Sequence, residues 1–416
     1  MVSAKSQSRA RRHRALGTFS VRCSLPSGRR AGGGAGPSAD LSRRGKARED
    51  ANDGRTVRDR SQTGLGVGSA FCAFERVPPS GEYIAMKTRL KLGFDNYSIR
   101  ALGWKAPRLL DYAARLKVDA ILLSNLEVYE SHGGPYLREI KARADALGIE
   151  VQVGMLSICP GSKLFSNRFG SAQEQLKLTL HIAKALGSGV ARCVLGHADD
   201  RRGGGGIAAR MAQTVKVLKK VRRYALDSGI KIAVENHAGD MRARELLAMI
   251  DDAGRDFVGA TMDAGNATWA LEDPLENLEL LGPCALTTGI RDSAVWATPV
   301  GATLQWTAMG EGQVDWNRYF TRFAELCPHT PVQLEIISGR PIPIRYLEDE
   351  FWDAYPNVSA GEFAGFLRFA RGGSPRRPFQ GAKGVAGRIS EQRFQKLELE
   401  RSIRYCRGTL GLGLRK

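Results

Sequence analysis

The chain has 416 residues, of which 43% are hydrophobic and 25% charged, enough for one large domain or two ordinary ones and unlike a mainly disordered, collagen-like or fibrous chain. No apolar run approaches the roughly 18 residues that cross a bilayer, so a membrane is not an expected partner. The net charge of +19 would suggest nucleic acid if it lay on one face, but residues 1–85 hold 16 Lys and Arg against 7 Asp and Glu, and residues 371–416 hold 12 against 3. The body between these two basic ends is close to neutral, which argues against tracking a phosphate backbone.

From Met1 to about residue 85 the chain is rich in Arg, Ser and Gly, including the run Ala31 to Pro37, and has no sustained apolar period. This composition predicts a disordered basic extension. Arg9, Arg11, Arg12 and Arg14 are followed by no apolar stretch, so a secretory signal is not expected, while an organellar transit peptide stays open. The character changes at Met86, itself a candidate start, and short apolar runs then alternate with helical patterns. Candidate strands begin near Leu90, Asp119, Glu150, Ala191, Lys231, Val258, Ala285 and Val332. Their spacing scatters around the roughly 31 residues per unit expected of eight strand-helix units in about 250 residues.

Pro107 falls in a predicted first helical turn, with Leu109, Leu110, Ala113 and Leu116 on one face. Ile207, Met211, Val215, Leu218, Val221 and Ala225 keep helical spacing up to Gly229. Lys216, Lys219, Lys220, Arg222 and Arg223 fall mainly elsewhere and read as a solvated face. The run Gly203 to Gly206 precedes this helix without a P-loop lysine, which leaves a loop or an anion cradle as its readings. Strands such as Ala120 to Leu123 are continuous apolar runs, as expected of parallel strands covered on both faces.

These features predict a (β/α)8 TIM barrel over residues 86–370. A doubly wound sheet is the alternative, but no GxGxxG follows the first strand. Residues 371–416 read as a basic linker and a C-terminal helix from Ile389 to Tyr405, with Phe394, Leu397, Leu399 and Ile403 available for packing or for contact with a second copy of the chain. The seven cysteines are widely spaced without a CxxC pair, which predicts a reducing, cytoplasmic compartment.

Barrel chemistry sits at the C-terminal mouth, and acids recur there directly after apolar strand residues: Glu235 on strand five, Asp263 on strand six and Glu335 on strand eight. Three carboxylates near one axis cannot all stay ionised unaided. A divalent metal is the simplest counter-charge, and oxygen donors favour Mg²⁺ or Mn²⁺ over Zn²⁺. The bland alternative is that each acid pairs with a neighbouring cation or caps a helix. His237 shares a strand face with Glu235. Asn266 could hold a substrate hydroxyl or cap a helix, His197 could face the mouth or a loop, and Arg291 could bind an anionic substrate or pair with Asp292.

The run Leu92-Gly-Phe-Asp-Asn-Tyr97, the Glu235-Asn-His237 strand end, Asp263-Ala-Gly-Asn266, Ile290-Arg-Asp292, Gly310-Glu-Gly312 and Leu334-Glu335 together resemble the xylose isomerase-like barrels. That family includes sugar phosphate isomerases and epimerases, ketose 3-epimerases, inosose dehydratases and endonuclease IV. The resemblance spans about Leu90 to Leu367 and rests on motif order. It implies a divalent metal held by Glu, Asp, His and Glu from strands five to eight, with Glu235, Asp263 and Glu335 in three of those places. The fourth departs from the pattern: where the family has His-x-Lys/Arg-Asp, this chain has Gly289-Ile-Arg-Asp292.

The function expected is a metal-dependent isomerase or epimerase of a small sugar, sugar phosphate or polyol, with proton transfer through an enediolate. Glu235 and Glu335 are the catalytic candidates, His197, His237, Asn266 and Arg291 the substrate-binding ones. Glu235, Asp263 and Glu335 would hold one ion, with Mn²⁺, Mg²⁺ or Co²⁺ favoured over Zn²⁺. The alternative is a non-catalytic or weakly active sugar-binding barrel. An abasic-site nuclease is disfavoured, because the body has only His132, His181, His197, His237 and His329, and Asn266 and Gly289 stand where that enzyme type uses His.

Overall fold

A computed structural model describes residues 90–415. The extension read as disordered, residues 1–85, the candidate start Met86 and Lys416 lie outside the described residues. Strands β1 (Leu92–Asp95), β2 (Ala120–Leu123), β3 (Glu150–Ser157), β4 (Val190–Val194), β5 (Lys231–Glu235), β6 (Val258–Met262) and β7 (Ala285–Thr288) pair in parallel with their chain neighbours. An antiparallel pair, β8 (Asp292–Thr298) and β9 (Gly301–Thr307), follows, and then comes β10 (Val332–Leu334), which pairs in parallel with β1. The sheet order β10-β1-β2-β3-β4-β5-β6-β7 is that of an eight-stranded barrel. A parallel bridge between Ile290 and Leu334 joins the two ends of the sheet, with Ile290 N donating to Gln333 O at 2.8 Å.

Each expected strand forms within two residues of its predicted start. The reason is burial: all four residues of Ala120–Leu123 and all five of Val258–Met262 are buried, because helices cover one face and the barrel interior the other. The helices are α1 (Ala106–Arg115), α2 (Gly134–Leu147), α3 (Ala172–Leu186), α4 (Gly206–Ser228), α5 (Ala243–Ala253), α6 (Ala264–Trp269), α7 (Pro274–Leu281) and α8 (Trp316–Leu326). Pro107 lies in the first turn of α1, and Ser171 with Glu174 forms a capping box on α3, so both starts are chemically specified. Helix α4 ends at Gly229 and buries Val215, Leu218, Val221 and Ala225, while Lys216, Lys219, Lys220, Arg222 and Arg223 are exposed. That basic cluster is the solvated face of a barrel helix. No helix among the described residues is long and apolar enough to cross a membrane.

Two features go beyond the repeating units. The β8–β9 hairpin is extended by β11 (Pro341–Ile344) into a three-stranded sheet over a second apolar cluster that includes Val295, Leu304, Ile344, Tyr355 and Phe366. Helices α9 (Asp349–Trp352) and α10 (Ala360–Arg371) accompany it. The C-terminal helix, α11 (Gly384–Gly408), is longer than the expected 389–405 and packs on the barrel unit. Its Gln395 side chain accepts from Ala101 N at 2.9 Å and its Ser402 hydroxyl accepts from Met309 N at 3.0 Å. Leu399 and Ile403 are buried and Phe394 stacks on Phe379. Leu397, read as available for packing or for contact with a second copy, does not pack on the barrel and is exposed, because the helix offers only one side to it.

Candidate active site

The C-terminal ends of the strands deliver the acids. Glu235 is the last residue of β5, Asp263 follows β6 as the N-cap of α6, and Glu335 follows β10. Their exposures are 1%, 0% and 3%. One carboxylate oxygen from each lies within 4.8 Å of the other two, so residues separated by up to 100 positions in the sequence share one small volume. Gly289, just beyond β7, faces the same place: a Cβ there would sit 2.9 Å from Asp263 Oδ2 and 3.3 Å from Glu335 Oε2. Three oxygen donors around a position that no side chain of residue 289 fills suit a hard or borderline cation completed by water or substrate oxygens.

Two buried arginines enter the cluster. Arg192, which points inward from β4, donates Nε to Glu235 Oε2 at 2.6 Å and Nη1 to Met155 O at 3.2 Å. Arg291 donates Nη2 to Asp263 Oδ2 and to Glu335 Oε2, the latter at 2.7 Å. Its guanidinium lies 4.4 Å from the centre of the Trp306 ring, a cation–π contact out of water. Gly265 makes this path possible, since a Cβ there would lie 2.2 Å from Arg291 Cγ. Trp306 is fixed in turn by donating Nε1 to Gly265 O at 2.8 Å.

Around these groups the environment separates the carboxyls. Burial raises Glu235, and the charges of Glu335 and Asp263 add to it against the pull of Arg192. Burial likewise raises Asp263 to about 6 and Asp95, at the end of β1, to about 7. Burial also works on Glu335, but the Arg291 and Arg192 guanidiniums outweigh it and hold that carboxyl below its usual range. Both arginines stay charged despite burial because the surrounding carboxylates outweigh its cost.

The substrate-binding candidates divide. Asn266 donates Nδ2 to Glu235 Oε1 at 3.2 Å, and its buried Oδ1 has no partner. His237 lies beside the cluster with Nδ1 at 2.5 Å from Gly196 O, and its imidazole is lowered to about 4, first by burial and then by Arg192. It is therefore neutral at pH 7. Asp240 accepts from Gly196 N at 2.9 Å and His237 N at 2.8 Å, tying the loops after β4 and β5 together. His197 is not brought to the acids: its Nδ1 accepts from Asp199 N at 3.2 Å and caps a short 3-10 turn, Ala198–Arg201. Arg291 does not pair with Asp292. Asp292 instead accepts from Gly310 N and Gly312 N, both at 3.0 Å, and holds that loop, because the chain reverses into β8 directly after Arg291.

Sequence reasoning missed Asp95 and Arg192. Asp95 carries the same signal as the three acids, a carboxylate ending an apolar strand. Arg192 is a lone cation within Val-Ala-Arg-Cys-Val, where an inward-facing charge requires a buried partner. A cavity of about 330 Å³ lies nearby, lined by Trp306, Thr307, Arg377, Phe379, Phe394 and Arg401 among others. The acids do not line it; Trp306 belongs to both regions.

The family profile described as Xylose isomerase-like TIM barrel matches residues 110–351, more than half of the chain, and the chain belongs to that family. Its structure is similar to that of a D-psicose 3-epimerase solved in the presence of D-fructose, at 15% identity over 77% of this chain and 100% of that one, TM-score 0.51. It is also similar to a xylose isomerase domain protein from Planctomyces limnophilus, at 20% identity over 55% of this chain and 85% of that one, TM-score 0.45. A D-psicose 3-epimerase with D-tagatose from Clostridium cellulolyticum H10 shares 13% identity over 76% of this chain and 99% of that one, TM-score 0.47. No curated protein sequence matches the chain.

Proposed function

We propose that this xylose isomerase-like TIM barrel is a metal-dependent isomerase or epimerase of a small sugar, sugar phosphate or polyol, working by proton transfer at a carbon next to a carbonyl. The observation that carries the reading is the pairing of Glu235 and Glu335. They meet in one water-excluded cluster, yet their surroundings push one carboxyl towards its acid form and the other towards its base form. Two titratable groups driven apart in this way are suited to acid and base roles.

Glu335 has Arg291 on Oε2, which leaves Oε1 to take a proton from substrate carbon. The C–H bond breaks, its electron pair moves towards the carbonyl oxygen, and an enediolate results. Glu235, held by Arg192 on Oε2 and by Asn266 on Oε1, returns a proton. Return to the neighbouring carbon gives the isomer; return to the opposite face gives the epimer. His237, neutral, and Asn266, with an unpartnered oxygen, are positioned to orient hydroxyls. Glu235, Asp263 and Glu335 would hold the metal, which supplies Lewis-acid polarisation of a carbonyl and its neighbouring hydroxyl; Mn²⁺, Mg²⁺ or Co²⁺ suits these donors better than Zn²⁺.

A second reading, a barrel that binds a sugar without turning it over, is favoured by one observation: Arg291 bridges Asp263 and Glu335 at the centre of the cluster. Incubation with Mn²⁺ and a panel of ketoses, their phosphates and polyols in D₂O separates the two. Deuterium appearing on carbon, seen by NMR and lost in Glu335→Gln, is expected. Ligand binding with no exchange for any compound overturns the catalytic reading.

A further inference from the structure

The nitrogen of Arg291 that reaches the cluster does not contact peripheral oxygens. Nη2 donates to Asp263 Oδ2 and Glu335 Oε2, the two atoms that a Cβ on residue 289 would approach most closely, at 2.9 and 3.3 Å. The space vacated at Gly289 and the space into which the guanidinium reaches therefore adjoin the same pair of carboxylate oxygens. Gly265 and Trp306 complete the channel for the arginine: one removes a side chain from its path and the other places an aromatic face 4.4 Å from its charge. Arg291 is 1% exposed, so its charge is compensated here or not at all.

We infer that Arg291 is a tethered counter-cation that competes with the divalent ion for Asp263 and Glu335, so that metal enters this site only as the Arg291 guanidinium leaves it. An ion held through Asp263 Oδ2 and Glu335 Oε2 takes lone pairs that Nη2 now engages, and a guanidinium and a divalent cation cannot share these carboxylates at contact distance without like-charge repulsion. The local cation concentration of a tethered group is fixed by the fold, so free metal must exceed a threshold before the exchange occurs. The inference rests on the metal-holding part of the proposed function. It does not depend on which sugar, if any, is turned over.

The test is calorimetric titration of the full chain with Mn²⁺, without sugar, for wild type, Arg291→Gln and Arg291→Ala, each checked for folding by circular dichroism. Arg291→Ala is purified with millimolar guanidinium, which can refill the vacated space, and is then exchanged into buffer. The expected result is Mn²⁺ affinity at least about tenfold higher in both variants than in wild type. Added guanidinium should weaken Mn²⁺ binding to Arg291→Ala and leave wild type unaffected. Equal or weaker affinity in the variants overturns the inference, as does indifference of Arg291→Ala to guanidinium. Arg291→Gln keeps one amide donor for the carboxylates, so the comparison stands if Arg291→Ala folds only with guanidinium present, an outcome that itself supports a cation position there. Failure of the sugar assay leaves these affinities unchanged, and their failure leaves proton exchange to be judged separately.

Discussion

Two ionic clusters in this structure are built differently. In the first, the buried Arg201 and Arg242 and the exposed Arg244 face Glu245, Glu272 and Glu362. Cations and anions are matched there, and each carboxylate also receives a backbone N–H: Arg242 N to Glu245 at 2.8 Å, Ala243 N to Glu272 at 2.9 Å and Ser359 N to Glu362 at 3.0 Å. In the second, Asp95, Glu235, Asp263 and Glu335 outnumber Arg192 and Arg291. Glu235 and Glu335 are held there by side chains alone. A carboxylate that accepts from the backbone is fixed by the fold and fixes it in return. One held only by side chains keeps its protonation and its partners exchangeable, which is what proton transfer needs.

Removing a cation from the matched cluster should have the largest effect. Arg201 donates to Ala354 O at 2.7 Å, to Asp240 O at 2.6 Å and twice to Glu245, and it stacks 4.2 Å from the Tyr355 ring. Arg201→Met should lose about 3–5 kcal/mol in chemical denaturation, because two buried carbonyls and a carboxylate are left unmet. An unchanged midpoint would erase the distinction between the clusters.

The next test uses pH. Burial raises Glu272 to about 7, against the pull of Arg242. A raised carboxyl stabilises the fold below its unfolded value and loses that contribution as pH climbs through the folded value. Wild type should therefore weaken between about pH 4.5 and 7, and Glu272→Gln should gain relative to it across that window, by up to about 3 kcal/mol. A difference that does not vary with pH would show Glu272 to be ionised throughout.

The smallest expected effect on stability is in the other cluster. Glu335→Gln gives up the hold of the Arg291 and Arg192 guanidiniums, but Asp263 still pairs Arg291 and relief of repulsion among the remaining carboxylates partly offsets the loss. Its stability should stay within about 1 kcal/mol of wild type while proton exchange is lost. A loss as large as that of Arg201→Met would make Glu335 a structural residue.

Much of this was legible because parallel barrel strands are buried on both faces and appear as short apolar runs, Ala120–Leu123 being the plainest. The acids Glu235, Asp263 and Glu335 stood out as charges directly after such runs. The β8–β9–β11 sheet was not legible. Asp292–Thr298 is buried over its first four residues and more exposed over its last three, and Pro341–Ile344 carries two prolines, which an edge strand tolerates and a sequence reading counts against a strand. Arg192 was illegible, and the partners of Arg291 were too, for another reason. Their partners lie 28 to 44 residues away in the chain, and only barrel closure brings them together. His197 could be read as facing the mouth or a loop, because proximity to a strand end does not say which way a loop turns; here it caps its own turn.

The tail that follows α11 returns to the first strand. Gly413 N donates to Leu90 O at 3.0 Å, and Asp119 Oδ2 accepts from both Leu92 N and Leu414 N at 2.9 Å. One carboxylate thus clasps the two ends of the described residues, which run as a ring between residues 90 and 414. Joining residue 414 to residue 90 through a short peptide would close that ring at small entropic cost. New ends could then be opened in an exposed connection such as Gly204–Gly205, a circular permutation that leaves the order of strands around the barrel unchanged.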